Sequence, residues 1–350
     1  MNYQLLGRSG LRVSDLCLGT MTFGEDWGWG ASQAASRAIF EAYTAAGGNF
    51  IDTSCNYTNG TSEKYVGEFI AAQRDYFVVA TKYSLSARAA DPNAGGNHRK
   101  NMVQSVEASL RRLNTDAIDL LWLHMWDGLT PIEEVMRALD DLVRAGKVLY
   151  VGISDTPAWV ISRANMLADL RGWSPFVGLQ APYSLADRSL ERELLPMARA
   201  LELAVTPWGL LEGGELTGKY GAPGAAPGAA PGGEPRRSNR ADPANLALGE
   251  VVKTVAAEIG HSPSQVAINW VRQQGDARHA PIIPILGART AAQLTDNLGC
   301  LEFELGPEHL QRLRAASPLQ LGFPRSFLES DHVRGLIFGS TFAQIDNHRQ

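Results

Sequence analysis

The chain has few cysteines, little excess of either charge and no long apolar run, and each shortage removes a class of function. Its three cysteines, Cys17, Cys55 and Cys300, lie far apart with no CxxC pair. Neither a disulfide framework nor a zinc-ligand spacing is present, the thiols are expected to be reduced, and no metal is expected. A formal net charge of -5 at pH 7 gives no broad basic field for nucleic acid or an anionic membrane, while a local cationic pocket for one phosphate stays compatible with it. No stretch approaches the apolar length that spans a bilayer, and residues 1–8 contain no uninterrupted apolar segment of the signal-peptide kind. A cytoplasmic protein is expected, which leaves the glycosylation sequons at Asn56 and Asn59 without consequence.

What is present is globular. With 350 residues, 45% of them hydrophobic and 20% charged, the chain can bury a sizeable core. Short β-branched or apolar runs at 16–19, 50–53, 77–81, 118–124, 150–154, 177–180, 204–208 and 282–287 alternate with longer helical patterns. Eight such runs predict an α/β fold, a (β/α)8 TIM barrel with its chemistry on the loops that follow the strands. The helical pattern at 32–46 places Ala34, Ala38, Ile39 and Ala42 on one face, and 131–145 repeats Ile132, Val135, Met136, Leu139 and Leu142 before Gly146 ends it. Ser262 and Pro263 read as N-cap and first residue of a further helix containing Val266, Ile268, Trp270 and Val271.

Two regions break the pattern. Residues 221–235 are almost wholly Gly, Ala and Pro with a repeated Ala-Pro-Gly unit, too poor in apolar surface to order firmly, and predict a mobile loop after strand seven. The whole of 1–350 reads as one domain, with a core at about 3–315 and a C-terminal extension at about 316–350. Phe323, Phe327, Leu336, Ile337 and Phe338 predict that this extension packs on the barrel exterior or on a partner subunit, so a homo-oligomer is left open.

Chemistry gathers where strands two, three and four end. Asp52 and Tyr57 follow strand two, Lys82 ends strand three and His124 ends strand four, so a barrel brings an acid, a phenol, an ammonium and an imidazole to one rim. Reduction of a carbonyl needs a hydride donor on one side of the carbon and an acid that protonates the developing alkoxide. A tyrosine stays protonated at neutral pH, and a neighbouring cation lowers its pKa toward a useful range. Lys82 is that cation, Asp52 its counter-charge, and His124 a group that hydrogen-bonds the substrate oxygen or relays a proton.

These residues stand in segments that resemble the aldo-keto reductase superfamily: DTSCNYTNGTSE at 52–63, TKY at 81–83, IDLLWLH at 118–124, GISD at 152–155, LTGKY at 216–220 and GARTAAQLTDN at 287–297. The resemblance implies Asp52, Tyr57, Lys82 and His124 as a catalytic tetrad with Tyr57 the acid. It implies NADPH, with NADH as the alternative, bound without a Rossmann domain, the nicotinamide at the barrel mouth and the 2′-phosphate near the last βα loop. The implied cofactor residues are Gly19 and Thr20 on strand one, Ser154, Asp155 and Gln180 at the nicotinamide, Pro207, Trp208 and Gly209 after strand seven, and Gly287, Arg289, Gln293 and Asn297 in the last loop. Arg289 is the candidate for a phosphate because a guanidinium binds phosphate oxygens in a fork.

The pattern departs from the family in two places. Asp155 stands where asparagine is more common; a carboxylate accepts from the carboxamide NH2 but cannot donate to its oxygen. Val205 stands in place of the aromatic that stacks under the nicotinamide in many relatives, with Trp208 three residues on. Trp27 and Trp29 in the first βα loop and Trp126 after His124 are candidates to wall a pocket for a small-molecule carbonyl. The expected activity is reduction of an aldehyde or ketone, keto-sugars included. The competing reading is a non-catalytic, cofactor-sensing subunit similar to the potassium-channel β subunits. A phosphate-binding loop at 213–219 is disfavoured because Tyr220 occupies the position where Ser or Thr would hold magnesium.

Overall fold

The computed structural model describes residues 1–220, 242–275 and 279–346. The Gly/Ala/Pro-rich stretch expected to be a mobile loop lies outside the described residues. The chain opens with an antiparallel pair, β1 (Tyr3–Leu5) and β2 (Arg12–Ser14). There follow eight strands that pair in parallel: β3 (Cys17–Gly19), β4 (Phe50–Asp52), β5 (Val78–Tyr83), β6 (Ile118–Leu123), β7 (Val148–Ser154), β8 (Phe176–Pro182), β9 (Ala204–Trp208) and β10 (Ile285–Gly287). Their order is β10-β3-β4-β5-β6-β7-β8-β9. The ring closes through a parallel bridge between Val205 and Ile282, where the Val205 amide donates to Pro281 O and the Ile283 amide to Val205 O, both at 2.8 Å. This is a (β/α)8 barrel.

Helices separate successive strands: α1 (Gln33–Ala45), α2 (Thr61–Ile70), α3 (Arg99–Leu113), α4 (Ile132–Arg144), α5 (Ala158–Arg171), α6 (Leu194–Ala200), then α7 (Pro243–Ile259) and α8 (Pro263–Arg272) between the last two strands. After β10 come α9 (Ala291–Leu298), α10 (Pro307–Ala316), α11 (Arg325–Leu328) and α12 (Asp331–Phe338). Ser32 caps α1 by accepting from the Ala35 amide, and Ser262 forms a full capping box with Gln265 at the start of α8. Gly146 follows α4 with φ +70°, as a helix-terminating glycine does.

Two apolar cores result. The larger lies between the strands and the helix ring and includes Ile39, Phe69, Val135, Leu139, Val266 and Trp270. The second fills the lumen: Cys17, Phe50, Val78, Leu120, Trp122, Val177, Ala204 and Ile283 meet Leu6 and Val13 from the N-terminal pair. The β1–β2 pair therefore stoppers the end of the barrel opposite the C-terminal ends of the strands. Most strand boundaries shift by one or two residues from the expected ones, and three of the shifts bear on the site or on closure of the ring. The third barrel strand runs to Tyr83 rather than Thr81, so Lys82 sits within it. The fourth ends at Leu123, just before His124. Of 282–287 only Ile285–Gly287 forms a ladder.

Candidate active site

The expected tetrad gathers at the C-terminal ends of β4, β5 and β6, with Tyr57 in the turn that follows β4. Asp52 is the last residue of β4, paired in register with Ala80, and Lys82 on β5 pairs with Trp122. Both are buried, and the Lys82 ammonium donates to Asp52 Oδ2 and, at 2.8 Å, to the Thr53 carbonyl. Asp52 Oδ1 accepts from Gln180 Nε2 at 3.0 Å, so neither carboxylate oxygen is left bare. Burial pulls Lys82 down, but Asp52 and then Tyr57 outweigh it and hold the ammonium above its ordinary value.

Tyr57 begins a tight turn. Its amide donates to Ser54 O at 3.1 Å, and the next residues are left-handed: Thr58 (φ 43°), Asn59 (φ 55°) and Gly60 (φ 92°). The turn is pinned from within, since Thr58 Oγ1 donates to Phe23 O at 2.6 Å and accepts from the Ser62 amide at 3.1 Å. Gly60 is required twice over: its φ disfavours a side chain, and a Cβ there would come within 2.8 Å of Arg112 Cδ. The reversal leaves the Tyr57 ring half-exposed at the rim, with the Lys82 ammonium 4.7 Å from its centroid. Lys82 also forms a side-chain hydrogen bond with it.

The His124 ring stands edge-on to Tyr57 with centroids 6.2 Å apart, and its Nδ1 lies 3.4 Å from Ser54 Oγ. Burial first, and Lys82 second, push its pKa down to about 3, so the imidazole is neutral at physiological pH. The site thus holds a cation, an anion that neutralises it, a phenol and a neutral imidazole. Such a set can protonate an oxygen and stabilise the phenolate left behind. Behind it, Glu63 bridges Thr81 (2.6 Å) and Arg112 (2.5 Å) and fixes α2 against β5 and α3. Neither Ser54 nor this bridge carries a pattern that spacing alone would single out.

The expected cofactor residues divide. Ser154 Oγ and Asp155 Oδ1 are buried at the end of β7 with no hydrogen-bond partner. Val205 points into the barrel wall with no exposure, whereas Trp208 is 42% exposed at the rim, so Trp208 offers the ring that Val205 cannot. Pro207 is buried, and Gly209 turns the chain with φ +79°. Gly19 lies against Ile285, and Thr20 is fully buried, its Oγ1 donating to Asp52 O at 3.1 Å and lying 2.8 Å from Ser62 Oγ. In the last loop Gly287 is exposed, Arg289 half-exposed and Asn297 buried, while exposed Gln293 accepts from the Arg289 amide at 2.9 Å. Thr290 caps α9.

Of the three tryptophans, Trp27 stands edge-on to Tyr57 at 6.5 Å and tilted against Trp29 at 5.5 Å. These form one aromatic wall beside the phenol. Trp126 lines a different hollow of about 300 Å³, with Leu129, Pro131, Trp159 and Arg163, to which none of the tetrad contributes.

A sequence model of the aldo/keto reductase family matches residues 15–318. The chain is 37% identical over 335 residues to the norsolorinic acid reductase of Aspergillus flavus, covering 93% of this chain and 83% of that protein. It is 37% identical over 344 residues to the aryl-alcohol dehydrogenase [NADP(+)] of Phanerodontia chrysosporium, with 92% and 87% covered. With an aryl-alcohol dehydrogenase of Pestalotiopsis microspora it shares 36% over 347 residues, 93% and 86% covered.

Proposed function

The chain belongs to the aldo/keto reductase family and is an oxidoreductase; on that footing we propose that it reduces aryl aldehydes or ketones with NADPH, Tyr57 donating the proton. The observation that carries this reading is the buried Asp52–Lys82 pair set beneath the Tyr57 ring, with a neutral His124 beside it.

The residues at the rim fit a nicotinamide. A carboxamide brings both donor and acceptor, and the orphaned Ser154 Oγ and Asp155 Oδ1 are buried polar atoms in need of partners. Trp208 would lie along the ring. Arg289, next to the N-terminus of α9, would hold the adenosine phosphate, where helix amides add a favourable field. That favours NADPH over NADH, in keeping with the NADP(+) in the Phanerodontia relative's name. Gly19, Thr20, Pro207, Gly209, Gly287, Gln293 and Asn297 are assigned to shaping this cleft, Thr20 from beneath through its bond to Asp52 O.

When bound, the dinucleotide supplies the hydride. The chain's own residues do the rest. His124, being neutral, can donate one hydrogen bond to the substrate oxygen and orient it toward the Tyr57 hydroxyl. As charge builds on that oxygen, Tyr57 gives up its proton, and Lys82 stabilises the phenolate. Asp52 keeps Lys82 charged in a buried place where an unpaired ammonium would lose its proton. The Trp27–Trp29 wall favours a flat aromatic substrate over a sugar, since offset or edge-on ring contacts add roughly 0.5–1.5 kcal/mol beyond area burial. Three unpaired cysteines, with Cys55 pushed up to about 12 by burial and by Glu63, suit a reducing cytoplasm. Among the described residues no helix is long and apolar enough to cross a membrane.

The test is NADPH oxidation by the purified protein against benzaldehyde derivatives, aryl ketones and keto-sugars, with Tyr57→Phe as control. Turnover confined to the aromatic substrates and abolished in the control is the expected result. Turnover that survives in Tyr57→Phe would remove the phenol from the role of acid.

A further inference from the structure

Asp155 follows β7 in a left-handed conformation (φ 41°), its amide donating to Gln180 O at 3.3 Å and its carbonyl accepting from the Trp126 amide at 3.5 Å. These contacts fix the backbone and leave Oδ1 buried and unsatisfied beside an equally unsatisfied Ser154 Oγ. Burial outweighs the Trp208 indole and the Lys82 ammonium and holds the carboxyl above the ordinary carboxylate value. The other charges at this rim cancel: Lys82 is paired with Asp52, and His124 is neutral. Asp155 is a further carboxylate at this rim, outside the Asp52–Lys82 pair.

We propose that Asp155 selects the redox state of the cofactor, its carboxylate stabilising the oxidised nicotinamide over the reduced one. The inference rests on the cofactor reading above. An ionised carboxylate is acceptor-only, so it serves one half of a carboxamide and cannot serve the other. What it brings is charge. Hydride transfer moves two electrons and one hydrogen nucleus from a neutral dihydropyridine to the carbonyl carbon, Tyr57 supplies a proton to the oxygen, and the ring is left with one positive charge. A fixed anion beside the carboxamide would stabilise that new charge more than it would in bulk water, because the dielectric of the site is well below that of water. It favours hydride donation in the transition state and retains the oxidised cofactor afterwards.

Both redox forms carry the same carboxamide, so any change in hydrogen bonding to it cancels in the ratio of their affinities, whereas a change in charge does not. Asparagine is among the residues that tolerate a left-handed backbone, so the substitution Asp155→Asn removes the charge with little threat to the fold. NADP+ and NADPH are titrated separately into the full-length protein and the variant by isothermal calorimetry. The ratio Kd(NADPH)/Kd(NADP+) is expected to fall about tenfold in Asp155→Asn, equivalent to about 1.4 kcal/mol. An unchanged ratio with both cofactors still bound overturns the inference and leaves the cofactor reading standing. If the unaltered protein binds neither form, the cofactor reading fails and this inference with it.

Discussion

Tyr57→Phe removes one oxygen and keeps the ring that packs edge-on against Trp27 and His124. NADPH-dependent reduction should fall about 10²- to 10⁴-fold, with cofactor affinity nearly unchanged by calorimetry. Lys82→Met is a harsher change: it strands the buried Asp52 carboxylate with Gln180 as its remaining side-chain donor. Breaking a buried pair in this way costs about 3–5 kcal/mol, so the variant should lose activity and also unfold at markedly lower urea. A tolerant fold with unchanged midpoint would contradict the pairing. His124 sets a pH dependence of stability. Its folded pKa of about 3 lies below the ordinary 6.5, so between those values the unfolded chain binds the extra proton and stability falls as pH falls. The loss begins near pH 6.5 and approaches on the order of 4 kcal/mol toward pH 3; urea midpoints measured down that range should drop less steeply in His124→Gln. The tetrad was legible because acid, phenol, ammonium and imidazole each follow a strand in order. The Lys82–Asp52 pairing was legible with it, but the support around that pair was not, because Gln180 meeting Asp52 across 128 positions of chain and a backbone carbonyl at Thr53 leave no local trace.

At the scale of elements, parallel strands buried on both faces show in sequence as continuous apolar runs, which is why all eight could be read. The β1–β2 pair escaped notice because its strands are three residues long and its exposed Tyr3 and Leu5 blur any alternation. Its purpose emerges only in three dimensions, where Leu6 and Val13 complete the lumen core. In that lumen Trp122 from β6 lies over two glycines on the next strands. A Cβ at Gly152 would stand 2.3 Å from Trp122 Cε3, and one at Gly178 2.9 Å from Cη2. Gly152→Ala must therefore displace an indole in a packed interior, at a cost of about 1–3 kcal/mol. Guanidinium unfolding followed by Trp fluorescence should show both the lowered midpoint and an altered native emission. By comparison, Ser262→Ala removes one half of the α8 capping box, which costs about 1 kcal/mol and should leave native emission as it was.

For the molecule as a whole, the barrel and the C-terminal extension are held by different forces. The barrel rests on two apolar cores. The extension from 317 to 346 buries little: Val333 is enclosed, but Phe323 is 85% and Leu336 72% exposed. Its apolar residues predict packing on the barrel exterior or on a partner subunit, and what fastens it to the barrel is largely polar. Arg188 Nη1 donates to Ser317 O at 2.6 Å, Arg192 Nε to Gln320 O at 3.0 Å, and Arg325 Nη1 to Glu191 O at 2.5 Å. All three bonds reach residues 188–192, in the connection that follows β8 at the C-terminal end of the strands. A chain ending at Ala316 should therefore keep its unfolding free energy to within about 3 kcal/mol, because three polar contacts at the barrel surface contribute about 0.5–1.5 kcal/mol each. It should lose the clamp on that loop, so KM for a bulky aryl carbonyl should rise while kcat for a small aldehyde holds to within about twofold, the signature of lost ground-state positioning rather than lost chemistry. A large drop in midpoint would instead make the extension part of the folding core, against the burial seen along it.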